Sequence, residues 1–322
     1  MSDKNSALLA ALDEQLRYAD DDGVVLQVAI FATVYIEDTY KREVRQAIGA
    51  CCADYFRRCG QQLRWALHLD EDHMERFGEG EASSPGAWLP ELGEDEGFCL
   101  NYHSGAWHLG AAAFSLEAVG FPQRPFTQLG YLRFSFPVTW LSEHPDVLPE
   151  MLLTFCRRLK PVSGYGGIGM NECADSGLSA RYTPIVYEVA QRFPGFEPDY
   201  PADHILSLEK GDGGIKSINW LTVVGDRLLA KLGGADAVQA ALVALDSRFI
   251  VQRFTGGAMI QAGPRPELGD AALADWPELY VKLAKYLKPI RVAKHFPFHR
   301  PGPGDHFDQA RTDAWLRRFD DR

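Results

Sequence analysis

The stretch Val24 to Ile36, VVLQVAIFATVYI, is nearly unbroken in apolar character and rich in Val, Ile and Thr. Thirteen residues are too few for a helix to cross a bilayer, and β-branched side chains favour an extended backbone. A strand without polar alternation must be covered on both faces. The chain therefore has to build layers on either side of it. With 322 residues, 46% hydrophobic and 24% charged, it has the apolar material to do so, and disordered, collagen-like and miniprotein classes are excluded.

Around this strand the pattern alternates. Residues 6 to 18 predict a short amphipathic helix, with Leu8, Leu9, Leu12 and Leu16 on one side. Apolar positions at 44, 48, 51/52, 55/56, 59, 63 and 66/67 predict a long helix from Lys41 to about Leu67. Residues 70 to 105, acid-rich and punctuated by Gly and Pro, read as a long surface insertion. Strands are expected at Trp107 to Leu116, Tyr131 to Trp140 and Gly164 to Asn171, with a helix at about Pro145 to Leu159. A second series follows. It comprises a linking helix at Pro184 to Phe193, a strand at Ile215 to Val224 and a helix at Asp226 to Leu232. A hairpin then joins Phe249 to Phe254 with Ala258 to Ala262, before a helix at Pro277 to Leu287 capped by Asp275 and a strand near Ile290 to Ala293. The expected fold is α+β: two packed βαββαβ (ferredoxin-like) units, residues 1–180 with the acidic insertion at 70–105, and residues 181–322 ending in a tail helix near Asp308 to Phe319.

No segment is long and apolar enough for a membrane helix. The start, MSDKNSALLAALDEQL, lacks the basic and apolar regions of a secretory signal, so a soluble cytoplasmic protein is expected. The cysteines at 51, 52, 59, 99, 156 and 173 form no Cys-x-x-Cys and three share one helix, which predicts reduced, mostly buried thiols.

Charge is concentrated. The chain carries a formal −11, against a general nucleic-acid binder. From Asp70 to Glu96 there are ten acids (Asp70, Glu71, Asp72, Glu75, Glu79, Glu81, Glu91, Glu94, Asp95, Glu96) and one base, Arg76, which leaves only −2 for the remainder. Phe77, Trp88 and Phe98 are interleaved with these acids. Acids among aromatics suit recognition of a basic protein surface; equally, they suit a solubilising loop whose aromatics tuck onto the domain. The candidate partner-binding residues are Asp70, Glu71, Asp72, Glu75, Trp88, Glu91, Glu94, Asp95 and Glu96.

Other constellations are weaker. Gly164, Gly166 and Gly169 in GYGGIG match the letters of the dinucleotide fingerprint, but a helix precedes them and none opens behind them. Close approach of a neighbouring backbone explains such glycines better. His68, His73, Cys99, His103 and His108, and the tail residues His295, His299 and His306, follow no standard metal spacing. No G-x-S-x-G elbow occurs, and adjacent acids such as Asp70/Glu71/Asp72 are usually solvated. No cofactor, metal or catalytic set is expected.

Five blocks carry a family resemblance: GYGGIGMNE (164–172), FPGFE (193–197), GGIKSINWLTVVGDRLLAKLGG (213–234), GGAMIQAGPRPELGD (256–270) and YLKPIR (286–291). With them, the chain from about Val24 to Arg291 resembles the type VI secretion immunity family paired with VRR-Nuc nuclease effectors. The resemblance implies a cytoplasmic immunity protein, without catalysis of its own, that binds and blocks a co-produced antibacterial effector. Such effectors are often DNases with restriction-endonuclease-like cores. The acidic insertion has no place in the family pattern, so no family contact is carried onto it.

A DNase must present positive potential to bind phosphate, and a concentrated acidic surface would be drawn to the same channel and exclude DNA. A rival within the same class is a groove between the two units, with Gly164–Gly169 and Gly263–Asp270 near the effector. From another class, the glycine segment could serve a nucleotide- or small-molecule-binding enzyme or regulator.

Overall fold

In a computed structural model that describes residues 10–67, 73–125, 128–209, 213–298 and 304–322, the chain divides into two units. One comprises Met1–Val147 with Asn171–Ser179, the other Leu148–Met170 with Ala180–Arg322. Both mix helices with antiparallel sheet, the class expected from the sequence.

In the first unit, β1 (Arg17–Ala19) pairs with β2 (Val24–Ile36), and every residue of β2 from Val28 to Ile36 is buried. This is the strand the apolar run demands. β2 also pairs with β7 (Gly130–Pro137), beyond which β6 (Ser115–Gly120), β5 (Phe98–His103), β3 (Trp65–Leu67) and β4 (Met74–Arg76) follow in that order, all antiparallel. Helix α1 (Arg42–Cys59) lies on one face of this sheet. Its Tyr55 ring stacks on Phe136 at 5.5 Å, meets Phe134 edge-on at 6.3 Å, and donates its hydroxyl to the Ser135 carbonyl at 2.8 Å.

Helix α1 is shorter than its periodicity suggests. It gives way at Gly60–Gln62 to a 3-10 turn, after which Leu63 is buried ahead of β3 and Ala66 within it. The insertion, too, is not an unstructured loop. It contains β4, the short helix α2 (Pro85–Trp88) and β5. Gly49 of α1 is the reason α2 can sit on α1, because a Cβ there would stand 2.8 Å from the Gly86 Cα of α2. Residues 107 to 114, expected as a strand, are turns, and β6 starts only at Ser115. Of the predicted first helix, residues 10–15 are helical and 6–9 lie outside the described residues.

Helix α3 (Trp140–Glu143) and α4 (Val147–Leu159) follow β7; α4 buries Leu148, Leu152, Phe155 and Leu159, and its Pro149 is tolerated in the first turn. In the second unit, β8 (Ser163–Glu172) pairs in parallel with β9 (Phe196–Glu197) and antiparallel with β10 (Leu221–Gly225). β12 (Gly257–Ala262) and the edge strand β11 (Phe249–Phe254) complete this sheet. The hairpin between them turns at Gly256, whose φ of 108° only glycine adopts without strain. Helix α5 (Ser176–Arg192) starts eight residues before the predicted Pro184, because the Asp175 carboxylate accepts the Leu178 N–H at 2.8 Å as an N-cap. Pro184 is interior.

Next come α6 (Pro201–Glu209), α7 (Asp226–Ala230), α8 (Ala235–Leu245), α9 (Glu278–Leu287) and α10 (Gln309–Leu316). Three expectations need correction. The strand expected from Ile215 begins at Leu221, and Ile215 makes only an isolated bridge to Arg291. Residues 288–290 form a 3-10 turn where the closing strand of a βαββαβ order was expected. Pro277, not Asp275, stands at the start of α9, because Asp275 is engaged in a backbone bridge to Asp270.

Among the described residues no helix is long and apolar enough to cross a membrane. The cysteines are unbridged, and burial pushes the Cys52 and Cys59 thiols up to about 12, which makes them poor nucleophiles.

The two contact glycines are not equivalent. Gly49→Ala is expected to destabilise the protein by about 1–3 kcal/mol through overpacking. Gly86→Ala, whose added Cβ finds its nearest neighbour 4.0 Å away, should stay within about 0.5 kcal/mol of wild type. Chemical denaturation of the two variants measures the contrast.

Candidate functional site

A single buried arginine organises the acidic segment. Arg45 lies on the inward face of α1 with no solvent exposure. Its Nη1 donates to the carbonyls of Leu92 at 2.5 Å and Gly93 at 3.0 Å, Nη2 to that of Glu96 at 2.6 Å, and Nε to that of Thr39 at 3.1 Å. Burial lowers its pKa, and the charges of Glu96 and Glu94 pull it back up. The carbonyls of Leu92, Gly93 and Glu96 thus turn inward to a cation, and Glu91, Glu94, Asp95 and Glu96 are exposed. Arg45 was missed from the sequence. Its signal was an arginine three positions before Ile48, on the stripe that α1 buries.

The exposed acids are not alike. Glu91 pairs with Arg42 at 2.5 Å, both side chains 63% exposed. The Glu96 carboxylate accepts the Gly93 N–H at 2.6 Å and so closes the turn it stands in. Glu94 is anchored through its carbonyl, which accepts the Gln123 N–H at 2.7 Å. Glu75 on β4 is half-buried, and its carboxylate lies over Gly80, where a Cβ would meet it at 2.6 Å. Trp88 ends α2 half-buried, its indole N–H enclosed without a hydrogen-bond partner among the described residues. Asp70, Glu71 and Asp72 lie outside the described residues.

The aromatics divide differently from the acids. Phe77 packs edge-on against Phe56 at 5.0 Å and Tyr102 at 6.1 Å, and Phe98 is buried. These rings fasten the segment to the domain, which supports tucking rather than anchoring in a partner for them. The carboxylates of Glu91, Glu94, Asp95 and Glu96 remain outside.

The glycine segment behaves as packing requires. Gly164–Gly169 lie within the buried strand β8, and α5 opens only at Ser176. A Cβ at Gly167 would meet the Asn219 carboxamide oxygen at 2.7 Å. The fingerprint needs a helix opening directly behind the glycines to hold a pyrophosphate, and β8 instead continues to Glu172.

Around Asn219 lies the polar centre of the second unit. Glu197 and Lys216, both with no exposed side-chain surface, form an ion pair at 2.9 Å. Glu197 also accepts from Asn219 Nδ2 at 2.7 Å and Ser217 Oγ at 3.1 Å, and Arg318 from the tail approaches it at 3.8 Å. Lys216 donates to the Pro198 carbonyl at 2.8 Å. Burial pulls the Arg318 guanidinium down to about 9, against the pull of Glu197. Beside Lys216, the His204 and His295 rings stack at 5.3 Å. Burial chiefly, with Lys216 adding to it, holds His295 down to about 3 and His204 well below its ordinary range.

Of the other histidines, buried His103 receives the Gly105 N–H on Nδ1 and contacts the His108 carbonyl through Nε2. His68 and His299 lie outside the described residues. Among the described residues, no three His, Cys, Asp or Glu side chains converge as a metal site would require.

Exposed carboxylates held on a fixed backbone suit recognition of a basic partner surface. The family comparison is specific. Residues 47–319 match the family model TsiV, type VI immunity for VRR-NUC, and the chain belongs to this family of type VI secretion immunity proteins. Among solved structures, it is similar to the Pseudomonas aeruginosa T6SS protein PA0821, with a TM-score of 0.85 and 24% identity over 98% of this chain and 90% of that one, a likeness of fold. No curated protein matches it.

Two outcomes follow from the buried charges. Arg45→Met strands carbonyl acceptors and should cost at least about 2 kcal/mol, with hydrogen exchange accelerated first at residues 92–96. Both buried histidines have folded pKa values below the unfolded one. Their contribution to stability is therefore full above about pH 6.5 and is lost on acidification, by up to about 1.4 kcal/mol per pH unit for each. Denaturation at pH 7.5 and 5.5 measures this, and His295→Phe should remove one proton from the slope.

Proposed function

We propose that this immunity protein neutralises a nuclease effector by laying its acidic segment into the basic channel where the effector binds DNA. The observation that carries this reading is the outward presentation of Glu91, Glu94, Asp95 and Glu96 from a backbone pinned by Arg45. A pre-set loop loses little conformational freedom on binding. Glu94 and Asp95 offer the most available charge, since Glu91 and Glu96 have partners within the segment's own surroundings. Asp70, Glu71 and Asp72 add three further charges from the same insertion. The family description, immunity for VRR-NUC, supports a nuclease as the partner. A nuclease surface is positive because phosphate must bind it, so acids both steer the encounter and compete with DNA. The site of action in this reading is the cytoplasm of the producing cell, where the DNA to be protected lies.

Neutralising Asp70, Glu71, Asp72, Glu94, Asp95 and Glu96 together to their amides is expected to slow association at least about tenfold at low salt. It should also flatten the dependence of affinity on ionic strength. Association kinetics with the inactivated effector at several salt concentrations test it. Affinity that stays unchanged at both low and high salt overturns the proposal.

A further inference from the structure

Two of the family blocks meet in the second unit and do something the acidic surface does not explain. FPGFE and GPRPELGD, seventy residues apart, press backbone on backbone. The Gly195 N–H donates to the Leu268 carbonyl at 2.7 Å, and a Cβ at Gly195 would lie 1.9 Å from the Glu267 carbonyl oxygen. The Glu267 N–H donates to the buried Tyr280 hydroxyl at 3.1 Å. This braced base carries a short loop. At its neck Asp270 and Asp275 exchange backbone hydrogen bonds at 2.8 and 3.0 Å, and the Asp270 carboxylate accepts the Ala272 N–H at 3.0 Å. At its tip stands Leu273, 78% exposed, where the other exposed large apolar side chains among the described residues reach 44–49%.

Single exposed leucines are ordinary on protein surfaces. This one is held out at a cost. Ala274 beside it adopts a left-handed backbone, φ 54° and ψ 27°, which alanine disfavours and which persists only where the surroundings impose it. A rigid support and a strained neighbour together display an apolar side chain that the fold itself does not use.

We infer that Leu273 is an anchor that inserts into an apolar pocket of the cognate effector, a second contact separate from the acidic segment. The rim indicates the chemistry of that pocket. From Pro264 to Glu278 the chain has four acids against one base; Asp270 and Glu278 pair with Arg192 and Arg248, which leaves the exposed Glu267 and Asp275 to meet basic side chains at the pocket's rim, as a DNA-binding surface provides. A buried apolar anchor inside a charged rim is the arrangement that concentrates binding energy in few residues. The inference rests on the reading that the partner is a nuclease effector, and not on which residues carry the charge.

The test uses the full chain and a catalytically inactivated VRR-Nuc effector as the cognate partner. Leu273→Asp should weaken binding about 30-fold or more with no change in the denaturation midpoint, since the side chain touches solvent in the free protein. Ala274→Gly relieves the strain and loosens the tip, so it should speed dissociation while stability holds or rises. Binding by Leu273→Asp as tight as wild type overturns the inference. So does a wild-type dimer that Leu273→Asp converts to a monomer, because the occupant is then a second copy of this chain. Loss of affinity on neutralising the acidic segment but not on Leu273→Asp overturns this inference alone. A nuclease that does not bind the wild-type protein overturns the acidic-surface proposal with it.

Discussion

The carboxylate of Glu197 has no contact with solvent, and the second unit is arranged around satisfying it. A buried charge is tolerated only when cations and donors surround it in good geometry, and removing one partner costs far more than the pair contributes. Here the partners come from distant parts of the chain: Lys216, Ser217 and Asn219 ahead of β10, and Arg318 from beyond α10. Arg318 is itself locked by the Pro194 carbonyl at 2.6 Å and lies over the Trp315 ring at 3.3 Å. The tail is drawn in further by Arg291, which pairs with Asp320 at 2.6 Å. One carboxylate thus fixes where the chain beyond α10 must run.

The first unit uses a similar device with the sign reversed. Arg45 is a buried cation whose partners are backbone carbonyls rather than a carboxylate, so the carboxylates of the same segment remain available to solvent. Had a glutamate of the insertion paired with Arg45, the segment would be equally well held and less charged outside. In both units a buried ionic group gives an irregular stretch one conformation. In the first, that conformation is what makes a run of acids a surface.

Regular elements were legible where one physical cause acted alone. The apolar run at 24–36, the Thr255–Gly256 hairpin and the stripe of α4 each read out as β2, β11–β12 and a helix. Misreadings fall where two causes share one signature. Leu63 and Ala66 continue the helical spacing of α1, yet both lie past its end, Ala66 in β3. Pro184 resembles a helix start, yet Asp175 had already capped the helix. The acidic insertion reads as a loop because its helix and strands are only three to six residues long and draw their stability from Arg45 and Gly49 of α1, outside the insertion. Of the candidate site, the acids were visible as composition. Their unequal standing, with Glu91 paired, Glu96 capping and Glu75 half-buried, was not, since partners such as Arg42 lie some fifty residues away.

By itself the sequence determined the class of fold, the long buried strand, the location of the charge and, through its five blocks, the family. Each of these depends on residue types and local spacing, which the chain carries whatever its tertiary path. Only the tertiary structure decided that GYGGIG is a packing strand, that FPGFE and GPRPELGD brace each other, and that Leu273 stands at an exposed loop tip. Those outcomes depend on close approach between residues far apart in sequence, where a glycine or a buried charge selects one arrangement among many that the local pattern allows.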